Sequence, residues 1–193
     1  MKLGILGAGK VGRTLGEQFE RAGYEVLYGT RTEREGTLTL QEVASTSDVL
    51  LLCTPFAAAV DLLPTLDGLL DGKVLIDVTN PIAIEFNEVE RPDGVSGAEY
   101  LQRLIPDTKV VKAFNQTGVE NLGDPNGSVM FVAGEDEEAV RLVVELSNEI
   151  GFDTHPLHGL KLARELEGLA WLWIHHAVKE RKSRDFAFYL TER

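Results

Sequence analysis

Lys2-Leu3-Gly4-Ile5-Leu6-Gly7-Ala8-Gly9-Lys10-Val11-Gly12 opens the chain, and its reading decides the fold. Residues 2–6 are an apolar run of strand length. Residues 10–22 then place Val11, Leu15, Phe19 and Ala22 on one face at helical spacing, with Gly23 as the stop. Gly7, Gly9 and Gly12 therefore fall between a strand end and a helix start, a context that lifts the triplet above a bare pattern match. Gly7 permits a tight turn, Gly9 lets backbone approach a pyrophosphate, and Gly12 lets helix and strand pack closely. Amides at the helix N-terminus lack intrahelical partners and face the phosphates, where the helix dipole favours negative charge. Glycines that merely serve turns are the ordinary alternative; their place one strand into the chain favours a dinucleotide site.

Outward from this loop, strand and helix alternate. Residues 25–28, 49–53, 74–78 and 109–113 are further strand candidates, mostly apolar and rich in β-branched side chains. Helical stretches near 56–70 and 98–104 separate them. Continuous apolar strands separated by helices predict a parallel sheet covered on both faces, an α/β fold of the doubly wound Rossmann type. Turn-rich segments at 81–97 and 118–127 interrupt the alternation. A strand at 129–133, a helix at 135–150, a short strand at 152–154 and a long helix from 160 to about 182 complete the chain. The expected division is a dinucleotide-binding domain over 1–114 and a small α-rich region, for substrate and dimerisation, over 115–193.

The second strand selects the dinucleotide. It ends Tyr28-Gly29-Thr30-Arg31-Thr32, where a site for NAD usually carries an Asp or Glu for the ribose hydroxyls. Arg31 and Arg34 offer guanidinium forks that match a phosphate dianion, and Thr30 adds a hydroxyl. Glu33 and Glu35 interleave with the arginines, and a solvated surface arginine is the plain alternative. NADP(H) is the expected cofactor.

Ligands in such sheets lie beyond the carboxyl ends of the strands. Three of those ends carry Thr54-Pro55-Phe56, Asn80-Pro81 and Phe114-Asn115, whose amides, hydroxyl and rings suit a flat carboxamide-bearing ring. Thr-Pro and Asn-Pro also start turns without any ligand. Acid–base machinery is missing. No tyrosine has a lysine four residues on, and the tail is too short for the helical domain of two-domain imine reductases. His175 and His176 are adjacent on a helix and diverge, so no metal site is expected. Cys53 is expected to be a small buried hydrophobe. No catalytic residue is therefore assigned: hydride transfer by positioning between two planar rings fits what is present.

Net charge is −12, from 19 basic and 31 acidic side chains, which disfavours nucleic acid and anionic membrane surfaces as partners. A single cysteine rules out an intramolecular disulfide and fits a cytoplasmic location. From the strand-like start no signal peptide is expected, and the apolar run 49–60 is too short to span a bilayer.

With these motifs assembled, the chain resembles the NADPH-dependent reductases of the deazaflavin coenzyme F420. The resemblance rests on the glycine loop, Thr30-Arg31, Asp77-Val78-Thr79-Asn80-Pro81 and Val110-Val111-Lys112-Ala113-Phe114-Asn115. It continues through Phe131-Val132-Ala133-Gly134, Ile150-Gly151-Phe152-Asp153, Gly159-Leu160-Lys161-Leu162-Ala163-Arg164 and Leu166-Glu167. It implies a homodimer and a deazaflavin ring stacked on the nicotinamide. It also implies that Gly7, Gly9, Lys10, Val11 and Gly12 hold the pyrophosphate, that Thr30 and Arg31 hold the 2′-phosphate, and that Asn80, Pro81, Phe114 and Asn115 lie near the nicotinamide. Met130, Leu160, Leu162, Phe186 and Phe188 are candidate neighbours of the second ring, or plain core. The dimer is expected partly on residues 169–174, apolar on every face of more than one turn. Two other functions compete: NADPH-linked reduction of FMN or FAD with iron or a quinone beyond it, and a redox sensor that binds NADPH without turnover, its crevice filled by Trp171 and Trp173.

Overall fold

The computed structural model describes residues 1–32, 35–83, 88–180 and 183–192. In chain order its main elements are β1 (Lys2–Leu6), α1 (Lys10–Arg21), β2 (Glu25–Thr30), β3 (Leu38–Thr39), α2 (Leu40–Thr46), β4 (Val49–Leu52), α3 (Phe56–Leu62) and β5 (Val74–Asp77). There follow α4 (Gly97–Leu104), β6 (Lys109–Lys112), α5 (Val119–Gly123), β7 (Val129–Gly134), α6 (Glu137–Glu149), β8 (Asp153–His158) and α7 (Ala163–His175). The strands form one sheet in the order β3-β2-β1-β4-β5-β6-β7-β8. Neighbours from β3 to β6 pair in parallel, β7 runs antiparallel to β6, and β8 is parallel to β7. The first six strands thus have the 3-2-1-4-5-6 order of the dinucleotide-binding fold, and the sheet continues past residue 114 into β7 and β8.

Strand periodicity accounts for the two-sided core. Successive side chains on a strand point to opposite faces. Leu3, Ile5, Leu51, Ile76 and Val111 pack on one face with Leu15 and Phe19 of α1 and Val143 and Leu146 of α6. Leu50, Leu52 and Leu75 pack on the other with Val43 of α2, Ala59 of α3 and Leu101 of α4. Both faces of the central strands β1, β4 and β5 are covered, and those strands are buried along nearly their whole length.

Two helix starts are fixed by reciprocal caps. At α2, which the hydrophobic pattern does not reveal, Thr39 Oγ1 accepts from the Glu42 amide at 3.2 Å, and a Glu42 carboxylate oxygen accepts from the Thr39 amide at 2.9 Å. Ser96 and Glu99 repeat the arrangement at α4, with 3.1 and 2.9 Å for the same two bonds. The longest departure from expectation lies at the C-terminus. In place of one helix from 160, the chain makes a 3-10 turn at Leu160–Leu162, then α7, then a π-helical turn at His176–Glu180. The expected end at residue 182 lies outside the described residues. Residues 183–192 then run without helix and return across the body: the Phe186 carbonyl accepts from Asn121 Nδ2 at 2.7 Å and Trp173 Nε1 at 3.2 Å, and the Phe188 carbonyl accepts from the Val129 amide at 2.9 Å. No helix among the described residues is long and apolar enough to cross a membrane, and they contain no group of His, Cys, Asp and Glu able to hold a metal ion.

Candidate dinucleotide and substrate site

β1 delivers the chain to the carboxyl edge, and the three glycines there meet three different surroundings. Gly7 has φ 109°, and a Cβ on it would lie 2.8 Å from the Cys53 carbonyl oxygen. On Gly12 a Cβ would lie 2.1 Å from the Gly7 carbonyl oxygen, so α1 rests on its own loop. A Cβ on Gly9 would meet nothing within 4 Å: it would stand in open space above the loop. Gly9 is also the N-cap of α1, with no side-chain cap and no acidic residue in the first turn. Unpaired amides facing an open cradle are what a pyrophosphate requires, so these residues fit a dinucleotide.

At the end of β2, the Thr30 hydroxyl bonds the Thr32 carbonyl and the Thr37 hydroxyl, each at 2.9 Å, closing the turn that presents Arg31 to solvent. Arg34 lies outside the described residues. Loss of one charge-assisted contact costs about 1.5–3 kcal/mol, or roughly 10- to 150-fold in affinity. Arg31→Ala is therefore expected to weaken NADPH binding by that factor and NADH binding far less. Equal losses for both in titration calorimetry would remove Arg31 from the 2′-phosphate site.

The ends of β5 and β6 are joined by paired amides. Asn80 Nδ2 donates to the Asn115 carbonyl at 2.8 Å, while Asn115 Nδ2 donates to Asn80 Oδ1 at 2.9 Å and to the Leu166 carbonyl at 3.2 Å. Both line a cavity of about 250 Å³ that is also bounded by Lys10 and Val11 of α1, by Thr117, Gly118 and Val119, and by Ala170, Trp173 and Ile174 of α7. The Trp173 indole lies against Gly118, where a Cβ would fall 2.3 Å from a ring carbon. Phe186 stacks on the same indole, with centroids 5.1 Å apart.

The other expected residues are placed differently. Thr54, Pro55 and Phe56 sit at the end of β4 and do not line this cavity. Thr54 Oγ1 is buried without a hydrogen-bond partner beside Gly7. Phe56 packs on Tyr100 at 6.4 Å, and Pro81 is buried near Gly97. The Phe114 ring is core, 6.2 Å from Phe19 and 6.0 Å from Phe152, so only its backbone, at φ 60°, is left to face the crevice. Met130 and Leu160 take core positions: they are 0% and 5% exposed and pack on opposite faces of the sheet.

Beneath the amide pair lies a charge cluster that sequence reasoning did not single out. Lys112 Nζ stands 2.8 Å from Asp77 Oδ2 and 3.5 Å from Glu167 Oε1, and all three side chains are 0% exposed. Arg91 reaches Glu167 Oε2 at 3.1 Å from the surface. Lys112 also donates to the Thr79 carbonyl, next to Asn80; Asp77 Oδ1 accepts from the Thr79 amide at 2.9 Å and hydroxyl at 2.7 Å. The cluster thereby ties α7 to the strand ends that carry both amides. Burial holds the Glu167 carboxyl above its ordinary range against the pull of Lys112. Burial, with the Asp77 charge behind it, also pushes the Cys53 thiol up, as suits an inert hydrophobe. The motifs Asp77-Val78-Thr79 and Val111-Lys112-Ala113 were visible in the sequence. What was not visible is that two strand ends and a helix far from both in sequence share one buried charge cluster.

Comparison with known proteins agrees with this geometry. Residues 2–81 match the family model described as NADP oxidoreductase, coenzyme F420-dependent. The F420-dependent NADP reductase of Methanothermobacter marburgensis is 29% identical, over 94% of this chain and 94% of its own. Metalloreductase STEAP3 of Rattus norvegicus is 32% identical over 87% of this chain, yet that match spans only 36% of the metalloreductase. This chain therefore corresponds to about a third of the length of those curated relatives. A crystal structure assigned as an F420-dependent NADP reductase, from Arthrobacter sp. FB24, superposes with a TM-score of 0.87 over 100% of both chains at 27% identity. With the NADP(H)-binding oxidoreductase fold and its open phosphate loop, the chain is similar over its length to F420-dependent NADP reductases, and its residues 2–81 match the coenzyme F420-dependent NADP oxidoreductase family.

Proposed function

We propose that the chain is an NADPH-dependent reductase whose hydride acceptor is a planar tricyclic ring, and that this ring is a flavin passing electrons on to ferric iron. The observation that carries the reading is the cavity between phosphate loop, amide pair and α7: its described lining residues include no carboxylate, imidazole or phenol, and its ammonium, Lys10, is paired with Glu120. A carbonyl or imine acceptor needs a positioned proton donor in its transition state. Transfer between two flat rings needs chiefly a close, aligned stack. NADPH, when bound, supplies the hydride. Gly7, Gly9, Lys10, Val11 and Gly12 hold its pyrophosphate, Thr30 and Arg31 its 2′-phosphate, and Asn80 and Asn115, with the Phe114 backbone, its nicotinamide end. Trp173 and Ile174 on α7 exclude water from the opposite side.

A flavin accepts hydride and releases single electrons, so it joins a two-electron donor to a metal; it suits relatives named metalloreductases. Deazaflavin is the second reading, favoured by the family model and by the full-length F420-dependent relative. NADPH oxidation assayed with FMN, FAD or coenzyme F420, each with and without ferric citrate, separates them. Flavin-dependent ferric reduction is expected. Turnover of F420 alone would move the assignment to the second reading, and tight NADPH binding with no turnover would leave a sensor.

The proposal keeps the region after residue 114 as the substrate and dimerisation part and includes a homodimer. Ala170 and Trp173 of α7 are buried, whereas Leu172 is 57% exposed and offers an apolar contact point on the outer side of the helix. Light scattering at micromolar concentration is expected to give twice the 21.2 kDa chain mass; the mass of one chain would exclude the dimer.

A further inference from the structure

The C-terminal segment brings a second cation to the phosphate loop. Arg184 Nε lies 3.1 Å from Glu120 Oε2, and Lys10 Nζ lies 3.6 Å from Glu120 Oε1. One carboxylate on α5 therefore bridges the first residue of α1 and a residue of the returning tail. Arg184 and Lys10 both line the cavity that holds the amide pair, and the Arg184 guanidinium stands 5.7 Å from the Trp173 ring. The tail is fixed just beyond this point by the Phe186 and Phe188 carbonyls. On a chain of net charge −12, this is a local excess of one positive charge at the mouth of a cavity. Burial opposes ionisation of Glu120, but its own backbone amide and the charges of Arg184 and Lys10 outweigh that and hold the carboxyl below its ordinary range. The side chains of the three residues are 54%, 40% and 76% exposed for Arg184, Glu120 and Lys10. Ion pairs so exposed contribute little, so displacing the carboxylate is easy. A phosphoryl group offers more charge and more acceptor oxygens to the same guanidinium fork.

We propose that Lys10 and Arg184 form a two-cation site for a phosphoryl group of a bound nucleotide, with Glu120 holding the cations in place until that anion displaces it. The inference rests on the reading that a dinucleotide lies on the phosphate loop. The anion is either the cofactor's pyrophosphate or the phosphate of a mononucleotide acceptor. Neither residue pair was expected from sequence, because Glu120 and Arg184 are 64 residues apart on surface segments.

Equilibrium binding tests it, with no turnover involved. NADPH, NADH, FMN and riboflavin are titrated into wild type, Arg184→Gln, Arg184→Lys and Glu120→Gln, followed by ligand and tryptophan fluorescence. If the cofactor supplies the anion, Arg184→Gln weakens NADPH and NADH alike, by about tenfold, the loss of one charge-assisted contact. If the acceptor supplies it, FMN weakens by that factor while riboflavin, the same ring without phosphate, does not. In either case Glu120→Gln tightens the affected ligand and Arg184→Lys restores part of the loss. Unchanged affinities for all four ligands in Arg184→Gln, or equal weakening of FMN and riboflavin, would overturn the site. A wild-type protein that binds no NADPH would instead remove the underlying dinucleotide reading.

Discussion

Lys112→Met is expected to lower the thermal midpoint by about 10 °C, since removing one member of a buried ion pair costs about 3–5 kcal/mol and each kcal/mol is worth roughly 2–4 °C in a chain of this size. Methionine keeps most of the volume, so the loss isolates charge from packing. It leaves the Asp77 and Glu167 carboxylates buried, with Arg91 alone at the rim of the cluster. The pH dependence separates this account from a cavity. Glu167 already has its folded pKa raised above the ordinary value of 4.5. A raised carboxyl contributes stability that is fully present below the unfolded value and is lost as pH rises through the folded one. Without Lys112 the raised value climbs further and that window widens. The deficit of the variant is therefore expected to be small near pH 5 and large near pH 8, followed by thermal melts at both. Equal deficits at the two pH values would mean that Lys112 matters through its methylenes.

Gly9→Ala and Gly12→Ala should fail in opposite ways. A Cβ at Gly9 has no neighbour within 4 Å, so the fold should tolerate it with an unchanged melting temperature. The methyl nonetheless stands where backbone must approach a pyrophosphate. Loss of even one phosphate–amide bond at that helix N-terminus weakens both NADPH and NADH by roughly 10- to 150-fold. A Cβ at Gly12 meets the Gly7 carbonyl oxygen at 2.1 Å, and backbone cannot yield as a flexible side chain does. That substitution should reduce stability whether or not ligand is present. Calorimetric titration with parallel melts checks both; unchanged NADPH affinity in Gly9→Ala would move the dinucleotide off this loop.

Local pattern made much of this molecule legible. The glycine triplet, the apolar strands and the β2 terminus are short-range features, and β1, α1, β4, β5 and β6 lie where the sequence places them to within a residue or two. The capping box that starts α2 was equally local, in Thr39 and Glu42, but a seven-residue helix gives too few turns for an apolar stripe to stand out. What escaped depends on contacts between distant segments. Phe114 is aromatic beside an asparagine at a strand end, a combination that suits a ring-binding crevice; a φ of 60° turns its side chain into the core instead. Lys112 and Asp77 are charges at strand ends, and only Glu167 arriving on α7 completes their partnership. The returning tail was invisible because nothing in residues 183–192 forms a regular element. Phe186, a candidate either for the second ring's neighbour or for plain core, stacks its own ring on Trp173.

The central claim is direct hydride transfer from NADPH to a tricyclic ring held by positioning alone. Single-turnover stopped-flow with NADPH deuterated on one or the other face of the nicotinamide tests it most directly. FMN and coenzyme F420 serve in turn as acceptor, and their absorbance is followed. The account predicts that ring reduction slows for one labelled face and not the other, and that with F420 the label is recovered on the deazaflavin carbon. Both rings remaining oxidised while a small aldehyde is rapidly reduced would contradict it.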